Sequence, residues 1–248
     1  MEEEVMKERV LFKRSDDPSA YGRVVMNWMG DPVLELEMMA RGYGEVAHGM
    51  VEAIKARKVR LLDTASFEPY PIVFLYRHAF ELSLKAIIFA GQDALREKAE
   101  EPMKTQKVMT HPLMPLFQEI NRIMGALVTD QSNVWDFGGP EVQTREQLEA
   151  IVREFDEFDR GSFAFRYSIT KGPKVMAAPL EAGFEFDLFR FAEIIDRIIP
   201  VMSRLPGWVR ETLELRAEAK FEAQAAAESV DGESGDCDRP AATRWLGA

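Results

Sequence analysis

The chain has a single cysteine, Cys237, in a polar C-terminal stretch. One thiol forms neither an intrachain disulfide nor a thiolate zinc site, and a reducing cytoplasm is the simplest compartment. Histidine is scarce too: His48, His78 and His111 are the full set. Base is in short supply, with 31 Lys and Arg against 42 Asp and Glu and a net charge of −11. That balance speaks against general nucleic-acid binding, whose affinity rests on Lys and Arg neutralising phosphates. A local basic patch stays open. With 16 glycines and 13 prolines in 248 residues, a collagen-like or low-complexity chain is excluded. No apolar run follows the acidic start Met1-Glu2-Glu3-Glu4, so a secretory signal is not expected.

A long uncharged apolar run is also missing. Residues 70–90 come closest, but they contain Arg77, Glu81 and Lys85. On the insertion scale three central charges cost roughly 7–10 kcal/mol, against about 6 kcal/mol returned by a dozen apolar residues. The segment therefore reads as a buried helix, and no membrane contact is expected.

What is there is helical. Hydrophobic residues make up 46% of the chain. Asp31-Pro32 supplies an N-cap and a proline at the first helical position for a helix to about Lys58, with a kink or break expected at Gly42 and Gly44. Pro71 opens the next helix, which Gly91 should end, and a short charged helix follows at 93–101. His111-Pro112 starts another, with Leu113, Leu116, Phe117, Ile120, Ile123, Met124 and Leu127 at helical spacing. Thr144-Arg145-Glu146-Gln147 is a capping box for a helix ending at Gly161. Phe163, Phe165 and Tyr167 alternate and predict an extended segment or small hairpin within 162–180. Asp187 caps a helix to about Arg204, and Pro206 restarts helix to about Glu228. From 229 the composition predicts a disordered tail. Residues 211–248 carry nine acids against four bases, so nearly half of the negative excess sits there. The expected fold is all-α, an up-and-down bundle, with a helical extension over 1–60, the bundle over 61–228 and the tail from 229.

The helix at 71–90 is apolar nearly all round, yet its polar groups are gathered. With Arg77 at zero, Glu81 falls near 40°, Lys85 near 80° and His78 near 100° around the axis. Arg77–Glu81 and Glu81–Lys85 are i,i+4 pairs of opposite sign. Buried charges are normally paired, so the stripe has a structural reading as an ordering element of the core. It also has a functional reading, as an anion pocket or a proton-transfer site using His78 tuned by Glu81. No ligand spacing supports a metal site from His78, His111 and Glu81, and no cofactor is implied.

Three pieces together resemble the HEPN superfamily of helical domains. They are Leu75-Tyr76-Arg77-His78-Ala79-Phe80-Glu81-Leu82-Ser83-Leu84-Lys85-Ala86, then Thr110-His111-Pro112-Leu113 with Leu116-Phe117, then Phe165-Arg166-Tyr167. The resemblance covers about residues 65–205. It implies a four-to-five-helix bundle that commonly forms a homodimer, often in prokaryotic toxin–antitoxin, abortive-infection or related defence systems. Active members are metal-independent endoribonucleases with an Arg-x(4–6)-His motif. The match to that spacing here is Arg41…His48, and about 0.7 such matches are expected by chance. The resemblance thus implies a non-catalytic binding or regulatory protein, with a polar cleft of Arg77, His78, Glu81, Lys85, His111 and Arg166 holding a nucleotide or other phosphate. An endoribonuclease is the alternative. It would use His78, Arg77 and His111 catalytically, histidine as acid or base and arginine stabilising the pentacoordinate phosphate. A third reading is an interaction module for a partner protein, in which the stripe is only core.

Overall fold

A computed structural model describes residues 28–58, 67–128, 134–137, 139–162, 164–166 and 185–233. By contacts the chain divides into Met1–Asp31 and Pro32–Ala248. Of the first unit only residues 28–31 are described, and they are irregular, with Gly30 at φ 80°.

The second unit is an all-α bundle. Its described helices are α1 (Pro32–Arg57), α2 (Pro69–Glu97), the single turn α3 (Thr105–Val108), α4 (Leu113–Leu127), α5 (Arg145–Asp159), α6 (Leu188–Met202) and α7 (Leu205–Glu233). No helix among them is long and apolar enough to cross a membrane. The only bridge outside helices is a tight loop pairing Gly139 with Val142, among the described residues. Of the extended segment expected at 162–180, residues 164–166 form a turn, while Phe163 and 167–184 lie outside the described residues.

The bundle is built around α2, which packs against α1, α4, α6 and α7. It also meets α5 through Phe80 and Phe155, whose ring centroids are 5.5 Å apart. Helices α1 and α2 run antiparallel, since Arg57 reaches Glu68 while Tyr43 meets His78. By the same logic α4 runs parallel to α2: His111 lies beside Arg77, and Ile123 beside Gly91. The segment 98–112 makes the return between them.

Three boundaries differ from the sequence expectation. First, α1 belongs to the bundle, so the division falls at Asp31/Pro32 rather than near residue 60. It also passes unbroken through Gly42 and Gly44. Its buried face is small: Val33, Ala40, Gly44, Ala47, Val51 and Ile54, at spacings of three, four and seven residues. Gly44 serves close approach, because a Cβ there would meet Ile199 of α6 at 3.3 Å. Tertiary packing on this face outweighs the helix cost of the glycines, about 1 kcal/mol each.

Second, α2 does not end at Gly91. It absorbs the separate helix expected at 93–101, because Ala94 and Leu95 continue the buried face. The stop comes eight residues later, where Ala99 takes φ 55° and the Glu100 amide donates to the Leu95 carbonyl at 2.9 Å. That left-handed cap is usually a glycine. Third, α7 continues to Glu233, past the expected start of the tail at 229. Residues 234–248 lie outside the described residues.

Gly42 and Gly49 face open space on α1. Replacing each by alanine should raise stability by up to about 1 kcal/mol, since nothing clashes and helix propensity improves. Urea denaturation followed by circular dichroism checks this; an unchanged or lower midpoint would contradict it.

Candidate functional site

The polar stripe of α2 folds into a closed network. Arg77 and Glu81 are fully buried and Lys85 is 4% exposed. Arg77 Nη1 donates to Glu81 Oε2 at 2.9 Å, and Lys85 Nζ donates to Glu81 Oε1 at 2.7 Å. Arg77 Nη2 donates to the His111 carbonyl at 2.9 Å. His111 Nδ1 lies 3.2 Å from Glu81 Oε1, a hydrogen bond that needs the proton on Nδ1, since a carboxylate only accepts. The His111 ring is half exposed. Arg77 Nε has no hydrogen-bond partner and faces Asp159 Oδ2 of α5 at 3.9 Å. Glu81 is thus the hub. Burial alone would raise its pKa, but Lys85, Arg77 and His111 together hold it below the usual 4.5.

The network positions helices as well as charges. Pro112, at the N-cap of α4, offers no side-chain cap. Asp156 of α5 does so instead, accepting the Leu113 and Met114 amides at 2.8 Å each. At the other end of α4, Lys98 Nζ donates to the Gly125 carbonyl at 3.1 Å and Arg216 Nη1 to the Ala126 carbonyl at 3.0 Å. An anion at the helix start and cations at its end match the helix dipole.

Of the expected site residues, Arg77, Glu81, Lys85 and His111 meet. His78 and Arg166 stand apart from their hydrogen bonds. The His78 ring stacks on Phe74 at 5.7 Å and meets Tyr43 edge-on at 4.6 Å. The Arg166 guanidinium lies over the Phe74 ring, 5.1 Å from its centroid, and its Nε donates to the Ser162 carbonyl at 2.6 Å. The three motif pieces therefore converge on α2, but in two clusters. Arg41 and His48 pair with different acids: Arg41 with Glu45 at 3.7 Å, and His48 Nδ1 with Asp196 Oδ2 at 2.8 Å. Tyr76 OH donates to the other Asp196 oxygen at 2.8 Å. Among the described residues, no group of three or more His, Cys, Asp or Glu is placed to hold a metal ion.

Burial lowers the pKa of His78, with Glu81 opposing and Lys85, Arg77 and His111 adding to the fall. The folded protein therefore keeps this ring neutral below the ordinary 6.5, where the unfolded chain takes up a proton. Stability should fall as pH drops below about 6.5 until the folded ring also titrates. His78→Phe should flatten that slope, read as melting temperature between pH 7.5 and 5.5. Equal slopes for both proteins would contradict it.

Sequence reasoning missed Asp156, Asp159 and Asp196. Asp159 had a signal: it falls four residues after Phe155 and seven after Val152, on the core face of α5. Within Glu154-Phe155-Asp156-Glu157-Phe158-Asp159 it reads as one more solvated acid. Comparison with known protein families, curated proteins and solved structures finds no match to this chain.

Proposed function

We propose that this is a non-catalytic, HEPN-like binding or regulatory protein whose polar stripe is architecture. One observation carries the reading: both buried cations of the stripe are spent on Glu81, with Asp159 behind Arg77. Two cations face two carboxylates, so no net charge is left there for a substrate phosphate. The convergence of the three motif pieces on α2 supports the HEPN-like part. A nucleotide or other phosphate would meet His111 and Arg166, the exposed members, rather than Arg77 and Lys85.

A second reading, a metal-independent endoribonuclease, is favoured by the His111–Glu81 dyad. A carboxylate orients the imidazole through Nδ1, and the half-exposed ring leaves Nε2 for acid–base work. Incubating the purified chain with structured and single-stranded RNA, without metal, separates the two. The expected result is no cleavage by the wild type. Cleavage that His111→Ala abolishes would overturn the first reading and establish the second.

A further inference from the structure

A cavity of about 410 Å³ lies between α5 and α6, and the functional reading above makes no use of it. Five phenylalanines line it: Phe155 and Phe158 of α5, Phe165 of the turn, Phe186 just before α6 and Phe191 in its first turn. Phe191 stands nearly perpendicular to both Phe155 and Phe186, at interplanar angles of 79° and 82°. Rings set face to edge give a flat guest both a face and an edge to pack on. The volume lies within the range of small-ligand sites and well above the roughly 150 Å³ that holds one benzene.

Three charged side chains join the lining: Glu154, Asp187 and Arg190. Asp187 is committed, since its carboxylate accepts the Phe189 and Arg190 amides at the start of α6, at 2.9 and 3.1 Å. Neither the Arg190 guanidinium nor the Glu154 carboxylate has a hydrogen-bond or ion-pair partner among the described residues. Both are exposed. Among the described residues the cavity therefore presents an apolar aromatic interior with one uncommitted cation and one uncommitted anion. A simple anion would meet Glu154 as well as Arg190, and a simple cation the reverse. A dipolar head satisfies both.

We propose that this cavity binds a small zwitterion with an aromatic body, of the class of the aromatic α-amino acids, its carboxylate on Arg190 and its ammonium on Glu154. Isothermal titration of the full chain with L-tryptophan, 3-indolepropionate, tryptamine and indole tests it. Tryptophan should bind about tenfold tighter than either singly charged analogue, and indole weakest. Arg190→Gln should weaken tryptophan and indolepropionate and spare tryptamine. Glu154→Gln should weaken tryptophan and tryptamine and spare indolepropionate. Both are exposed positions, so folding is not at stake. No binding by any of the four, indole binding as well as tryptophan, or variants that keep full affinity would each overturn the proposal. None of these outcomes bears on the RNA-cleavage test.

Discussion

Glu81→Ala should cost roughly 3–5 kcal/mol, because removing one member of a buried ion network strands the others. Among the described residues, Arg77 would keep only the His111 carbonyl and the 3.9 Å approach to Asp159, and Lys85 would keep no carboxylate within reach. Native domains are stable by about 5–15 kcal/mol, so this single change takes a large part of the whole. In urea denaturation the midpoint should drop with little change in slope. Replacing the group together tests the cause. Arg77→Met, Glu81→Leu, Lys85→Met and Asp159→Asn in one chain should recover most of the loss, since uncharged side chains of similar size avoid the penalty of desolvating a charge. A quadruple variant as unstable as Glu81→Ala would show that the network contributes through something other than mutual compensation. Acid acts on the same hub. The pKa of Glu81 is depressed, so its contribution is intact above the unfolded value of 4.5 and is lost as pH falls through the lower folded value.

Gly91→Ala should destabilise by about 1–3 kcal/mol, the reverse of the usual gain in a helix interior. A Cβ on residue 91 would stand 2.4 Å from Ile123 Cγ2, 3.2 Å from its Cδ1 and 3.4 Å from its Cβ. The nearest atom is a methyl fixed on a branched β-carbon, which cannot swing clear without changing χ1. Either α4 moves away from α2 or Ile123 leaves its rotamer. Ile123→Ala removes the obstructing methyl, so the double variant should lose less than the two single changes added together, by about 1 kcal/mol or more. Strict additivity would mean that the two residues do not share this contact in solution.

The same glycine shows where sequence reading reaches its limit. In a one-dimensional pattern, a glycine after an apolar run signals a helix end. Only the fold reveals that Gly91 makes room for a parallel neighbour and that Ala99 supplies the left-handed stop. The apolar faces of α4 and α5 were legible because their spacing is regular and each buries one side. The capping box at Thr144 and the Asp187 cap were legible because they act within four residues. The stripe was legible as a stripe, since Arg77, Glu81 and Lys85 share a helix face. Its partners were less so. Asp156 and Asp159 reach α4 and α2 across more than 40 residues, and nothing local separates them from the solvated acids beside them. The role of His78 also changed with packing: its place on the helix predicted a member of the ion network, while Phe74 and Tyr43 hold it by its ring faces and edges.

The way Asp156 holds the start of α4 has a consequence for hydrogen–deuterium exchange. Amides in the first turn of a helix have no intrahelical acceptor and ordinarily exchange fast, whether or not the rest of the molecule is intact. At Leu113 and Met114 the acceptor is a carboxylate from another helix. Slow exchange at these two positions therefore reports the docking of α5 onto α4, separately from the helicity of either. Amides from Phe117 onward report the helix itself. A chain in which α5 lifts away while α4 stays wound would show deuterium at 113 and 114 first, so two adjacent peptide groups serve as a built-in gauge of whether the bundle is closed.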